Sequence, residues 1–361
     1  MTVQFSANPF EMEKQEKEAY LVQEMSRLTQ FHTENCQEYK NILENMRLFT
    51  SAERLHELPF LPVQLFKMLE LYSVPKENIL KTLTSSGTTS QVVSKIFLDK
   101  ETSMLQSRAL INIVQSFVGK KRLPMIILDS KSVIKNRKSF SARGAGILGF
   151  SNFGRNHFYA LNDSMELDEE GLQAFLDKHQ GEQILLFGFT FMVWQYFYQV
   201  CRERGLNFNL SDGLLIHGGG WKKLKDEAVS NDDFKAALRE QFGLARIHNY
   251  YGMVEQVGSI FMECEHGYFH PPHFADVLVR DMNSLEVLSY KEKGLLQVLS
   301  ILPKSYPGHS LLTEDLGEII GEDDCSCGRK GRYFTVEGRL PKAEIRGCSD
   351  THAFDQRGAL R

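Results

Sequence analysis

Thr84-Ser85-Ser86-Gly87-Thr88-Thr89 is the stretch whose reading decides the fold. An apolar run, Ile79 to Leu83, leads into it, and Val92 to Leu98 reads as a strand leaving it. A strand, a small-residue loop and a second strand expose backbone N–H groups and several hydroxyls at one point. Gly87 lets the backbone close on a ligand, and the surrounding hydroxyls suit phosphate oxygens. The loop is no Walker A element, since no Gly-Lys-Ser/Thr follows. Alone, the hexapeptide serves equally well as a polar hairpin turn.

Working outward, Met125–Asp129, Ile184–Phe187 and Gly213–Ile216 read as strands, and Lys100–Val118, Leu172–His179, Phe191–Arg204 and Phe234–Phe242 as helices. That alternation predicts an α/β core with a largely parallel sheet. Past Glu263 the pattern shifts to short strands at Ala275–Arg280, Gly294–Ile301 and Tyr333–Val336, a smaller β-rich part. The expected organisation is a helical cap over 1–80, an α/β core over 81–262, the β-rich part over 263–337 and a short tail over 338–361.

Composition narrows the class. The 361 residues suffice for a large core, and a net charge of −4 offers no field for nucleic acid. No apolar stretch reaches span length and the first residues lack a signal-peptide core, so a cytoplasmic protein with no membrane span is expected. Oligomeric state is left open. Six cysteines, mostly in the C-terminal half, suggest metal binding or thiol chemistry rather than disulfides in a reducing compartment. Cys325 and Cys327 offer two thiolates, and Cys264 with His270 completes a candidate structural zinc set, with His266 or His273 as substitutes for His270. Buried unligated cysteines are the alternative.

Gly144-Ala-Gly146-Ile-Leu-Gly149 matches a dinucleotide fingerprint literally. It follows a basic, polar segment instead of a buried strand, so a nicotinamide site is not expected there. Three further elements suit ligand binding. His217-Gly218-Gly219-Gly220-Trp221-Lys222 follows a strand at the carboxyl end of the sheet, where open α/β sheets bind ligands. In Asn249-Tyr250-Tyr251-Gly252-Met253-Val254-Glu255 two aromatics stand ready for a planar base, and a carboxylate for a hard cation. Thr313-Glu314-Asp315-Leu316-Gly317 reads as an acidic turn able to bind vicinal hydroxyls.

The order of these elements, completed by Gly338-Arg339 and Arg346-Gly347, resembles the signature series of adenylate-forming enzymes. Within that superfamily, Thr84–Thr89, Gly218–Lys222 and Arg346-Gly347-Cys348-Ser349 resemble the acyl-protein synthetase (LuxE) family, while Cys325-Ser326-Cys327-Gly328-Arg329 resembles phenylacetate-CoA ligases. The resemblance implies that Thr84, Ser85, Ser86, Gly87, Thr88 and Thr89 hold the phosphates of ATP. It implies that Gly218, Gly219, Gly220, Tyr250, Tyr251 and Gly252 line the adenine and the acyl carboxylate. Glu255 would bind Mg²⁺, and Asp315 with Arg339 the ribose hydroxyls. A fatty acid would become acyl-AMP, then a thioester on Cys348 for delivery to an acyl reductase partner. A phenylacetate-type ligase releasing acyl-CoA is the alternative. The chain runs only 14 residues past Gly347, and Pro341 stands where a hinge residue is often acidic, so a truncated lid domain is expected. Phe187 to Trp194 is apolar enough to line an acyl pocket, although such stripes are more often core.

Overall fold

The computed structural model describes residues 3–46, 52–85, 93–134, 142–221 and 228–340. Ser86 to Thr89, Lys222, Pro341 and Cys348 therefore lie outside the described residues.

One twelve-stranded mixed sheet organises the described chain. From one edge its order is Ala275–Arg280, Gly294–Ser300, Ser310–Glu322, Arg332–Arg339, Phe269–His270, Phe261–Glu263, Arg246–Tyr251, Gly213–Gly218, Ile184–Phe189, Leu123–Ser130 and Gly154–Leu161, while Leu61–Pro62 pairs with Ser310–Glu322 off that path. The five strands from Arg246–Tyr251 to Gly154–Leu161 run parallel. From Phe261–Glu263 to the opposite edge the pairings are antiparallel. Apolar cores cover both faces, which is why Ile184–Phe189 and Gly213–Gly218 are almost continuously buried.

Local chemistry sets the helix ends. Asp99 caps Lys100–Val118 by accepting from the Thr102 amide at 2.8 Å, and Ser230 caps Asn231–Phe242 through the Asp233 amide at 3.1 Å. The helices Lys14–Asn35 and Gln37–Met46 form the amino-terminal layer, with Leu21, Met25, Leu28 and Leu43 in the larger core.

One element differs from the sequence reading. Thr313–Gly317 is no turn: it lies inside the thirteen-residue strand Ser310–Glu322. Register shifts against both neighbouring strands near Leu316 absorb its small and acidic residues as bulges. The glycines of the rejected fingerprint lie inside the helix Ala142–Ser151. A Cβ at Gly146 would sit 3.0 Å from the Phe189 ring, and one at Gly149 3.2 Å from Leu110, so these glycines seat the helix closely on its neighbours. The apolar run Phe187–Trp194 divides between the two faces. Phe187 stacks on Phe150 at 4.3 Å, while Trp194 stacks on Tyr198 and Phe234 in the opposite core.

Candidate functional site

The Thr84 element is built as a separate two-stranded hairpin of Ile79–Thr84 and Lys95–Asp99. Ser85 closes its described end: its amide donates to Ser94 O, and its hydroxyl accepts from the Ser94 amide at 2.9 Å. The loop beyond Ser85, with Ser86, Gly87, Thr88 and Thr89, is outside the described residues.

Gly218 ends a buried strand in register with Tyr250. A Cβ on Gly218 would fall inside the Tyr250 ring, so only glycine leaves that ring in place. Gly219 has φ +76°, a left-handed conformation that glycine adopts without strain, and Gly220 is exposed. Thr190 Oγ1 anchors the turn, donating to Gly218 O at 3.2 Å beside His217 Nδ1 at 3.0 Å.

Tyr250 and Tyr251 point to different neighbours. Tyr250 packs with Phe150 and Phe187 in the core. Tyr251 lies among Phe261, Phe269 and Phe334, and its hydroxyl donates to Asp315 Oδ2 at 2.7 Å. Burial, with the Asp315 carboxylate adding to it, holds the Tyr251 phenol well above its usual range, so it remains a donor. Arg339 Nε stands 3.5 Å from Asp315 Oδ1. Tyr251, Asp315 and Arg339, 88 residues apart at the extremes, thus meet at one edge. Gly252 follows Tyr251, and a Cβ there would meet Ile260 at 3.0 Å. Glu255 is 7% exposed, and its carboxylate makes no hydrogen bond or ion pair with any described residue. A carboxylate is the kind of ligand that a hard cation takes.

A second cluster forms behind this edge. Cys264, His270, Cys325 and Cys327 bring one donor atom each within 4.8 Å of all the others. Cys327 Sγ lies 3.4 Å from His270 Nε2, and Cys264 Sγ 4.0 Å from Cys325 Sγ. His273 is engaged elsewhere, facing Gln4 O at 2.7 Å and Pro9 O at 3.4 Å. His266 contributes its amide to Cys264 Sγ at 3.4 Å.

Sequence reasoning missed two buried acids. Glu263 is fully buried: it meets Lys235 Nζ at 2.7 Å, and accepts from Asn231 Nδ2 at 2.5 Å and the Asn249 amide at 2.9 Å. It thereby ties Asn231–Phe242 to the strand carrying Tyr251. Asp129, at the carboxyl end of Leu123–Ser130, pairs with Arg143 Nε at 3.0 Å. The basic run before Gly144 was the available signal for Arg143. For Glu263 there was none.

Residues 2–355 match the family described as acyl-protein synthetase, LuxE. The chain belongs to the acyl-protein synthetase family. Among its relatives is the long-chain-fatty-acid–luciferin-component ligase of Vibrio harveyi, 25% identical over 358 residues, covering 96% of this chain and 90% of that protein. The ligase of the same description from Aliivibrio fischeri is 26% identical over 329 residues, covering 88% and 84%. Among solved structures, an open conformation of 2-hydroxyisobutyryl-CoA ligase in complex with 2-HIB-AMP and CoA superposes with a TM-score of 0.73 at 17% identity, covering 96% of this chain and 81% of that one. The same ligase in the postadenylation state, with 2-HIB-AMP, gives 0.72 at 16% identity, covering 94% and 72%. The fold is that of adenylate-forming enzymes, and the chain is a ligase of the AMP-forming class. Among the described residues no helix is long and apolar enough to cross a membrane.

Proposed function

We propose that this acyl-protein synthetase activates a long-chain fatty acid with ATP, then carries the acyl group on Cys348 for an acyl reductase partner in the cytoplasm. The observation that carries the reading is the meeting of Tyr251, Asp315 and Arg339, with Glu255 nearby in sequence, in a chain of this family. Tyr251 would flank the adenine. Asp315, oriented by the Tyr251 hydroxyl and Arg339, would accept from the ribose hydroxyls. Gly218 to Gly220 and Gly252 would keep side chains out of the ligand's path, and Thr84 to Thr89 would receive the phosphates.

A carboxylate is a poor electrophile because its leaving group would be oxide. One carboxylate oxygen attacks the α-phosphorus, the bond to the β-phosphate oxygen breaks, and pyrophosphate leaves with acyl-AMP behind. The Cys348 thiolate then attacks the acyl carbon, AMP departs as the leaving group, and the thiol proton passes to solvent. Glu255 would hold Mg²⁺, which supplies charge neutralisation at the phosphates. Residues 1–80 would cap the core, 81–262 carry activation, 263–337 carry a structural zinc site at Cys264, His270, Cys325 and Cys327, and 338–361 present the thioester.

The test is fatty-acid-dependent exchange of labelled pyrophosphate into ATP. Wild-type protein exchanges, while Gly87→Val and Glu255→Gln do not, although both keep the native circular dichroism. Normal exchange in either variant would refute the placement of the nucleotide. Acyl-CoA released with no acylated protein would favour the phenylacetate-type ligase.

A further inference from the structure

The two halves of the sheet meet at a narrow isthmus. Phe261–Glu263 and Phe269–His270, of three and two residues, are all that joins the parallel strands to the antiparallel ones along the sheet path. Tyr250 and Tyr251 pair with Met262 and Phe261 on one side, and Phe269 alone pairs with Phe334 on the other. The nucleotide elements straddle this isthmus, with Tyr251 on the parallel side and Asp315 and Arg339 on the antiparallel side.

The Cys/His cluster draws its donors from around that junction, one from a strand and three from the segments beside the strands. Cys264 directly follows Phe261–Glu263, His270 lies in Phe269–His270, and Cys325 and Cys327 lie in the connection between Ser310–Glu322 and Arg332–Arg339. Tetrahedral zinc with Zn–S of about 2.3 Å and Zn–N of about 2.0 Å spaces its ligands about 3.8 Å (S···S) and 3.5 Å (S···N) apart. The observed 4.0 Å and 3.4 Å match those edges. The turns are shaped for it: Gly267 and Gly328 take φ +84° and +79°, and the His266 amide donates to Cys264 Sγ. Three thiolates, an imidazole and Zn²⁺ carry one net negative charge. Arg329 is held by Glu265 at 2.8 Å and over the Phe117 ring at 4.3 Å, two residues from Cys327, where its charge favours the thiolates.

We infer that zinc at Cys264, His270, Cys325 and Cys327 is a clamp across this isthmus, fixing the Tyr251 strand against the Asp315 and Arg339 strands so that zinc occupancy governs nucleotide affinity. The inference rests on reading the cluster as a zinc site. Coupling between two such sites is commonly 5- to 150-fold, and linkage makes it reciprocal. Bound MgATP must therefore tighten zinc binding by the same factor that zinc tightens MgATP.

The test uses the full chain purified without a metal-binding tag. Elemental analysis should find about one zinc per chain. Calorimetric titration with MgATP should show affinity falling roughly tenfold when a chelator removes the zinc, and returning when zinc is restored. Saturating MgATP should slow zinc loss to the chelator, Cys327→Ser should lose zinc and nucleotide affinity together, and the near-ultraviolet spectrum from Trp194, in the opposite core, should be unchanged. Zinc well below one equivalent, both as purified and after reconstitution, would overturn the metal site itself. Full zinc with MgATP affinity indifferent to its removal would leave the metal and overturn the clamp. Loss of the Trp194 signal along with zinc would also overturn it, since the metal would then be holding the whole fold.

Discussion

Glu263→Gln is the substitution whose cost the structure defines most tightly. The carboxylate is fully buried, and its two oxygens are divided between Lys235 with Asn231 on one side and the Asn249 amide on the other. Lys235 is only 13% exposed, so water replaces the lost charge poorly. A glutamine presents one oxygen and one NH₂ group, so either Lys235 or the Asn249 amide must face a donor. Stranding one partner of a buried pair costs about 3–5 kcal/mol. Urea unfolding followed by circular dichroism should show that loss as a lowered midpoint with an unchanged slope. MgATP affinity should fall as well, because Asn249 lies on the strand that positions Tyr251. Adding Lys235→Met removes the stranded charge and should recover about half of the lost stability. A loss below about 1 kcal/mol in the single variant would show that solvent or a relaxed side chain satisfies Lys235, and would refute the reasoning.

Tyr251→Phe removes a hydroxyl bonded to a carboxylate, so stability should fall by about 1.5–3 kcal/mol in urea unfolding, and MgATP affinity should fall by calorimetry because Asp315 loses the group that orients it. Gly218→Ala forces a methyl group into the Tyr250 ring; a stability loss of about 1–3 kcal/mol is expected by urea unfolding, and an unchanged midpoint would show that the ring moves freely. His32 and His217 are enclosed, and burial pushes both down to about 3; His309, stacked on His32, is pushed down too. These rings stay neutral in the fold, while the unfolded chain takes up protons below its ordinary value of 6.5, so stability is full above that pH and falls below it. Between pH 7.5 and 5.5 His32 and His217 should together cost about 3 kcal/mol and His309 should add to the loss, read as a drop in the urea midpoint.

Much of the fold was legible because its signals are local. Lys100–Val118 shows helical periodicity behind an Asp99 cap, and the buried strands are uninterrupted apolar runs ended by glycine or a polar residue. Local signals misled where a distant contact decides the backbone. Asp315 and Gly317 carry turn chemistry, yet pairing of Asp315 with Arg339 and of Gly317 with both Gly294 and Val336 holds them in a strand and spends the irregularity on bulges. Glycines at 144, 146 and 149 lower helix propensity, but close seating of Gly146 against Phe189 and of Gly149 against Leu110 favours those two in a helix. The cysteine and histidine set was legible from donor type, whereas the choice of His270 over His273 depends on the pairing of Phe269 with Phe334. Glu263 was illegible because its partners Lys235 and Asn249 lie on elements packed from elsewhere in the chain.

The most direct test of the central claim is to incubate the protein with ATP, Mg²⁺ and a labelled long-chain fatty acid, then separate it by denaturing electrophoresis. Wild-type protein should carry a covalent label that a thiol or hydroxylamine releases. Cys348→Ser should carry none, yet sustain fatty-acid-dependent pyrophosphate exchange at the wild-type rate. A thiol-labile label persisting on Cys348→Ser, or a wild-type protein that exchanges pyrophosphate without ever becoming labelled, would contradict it.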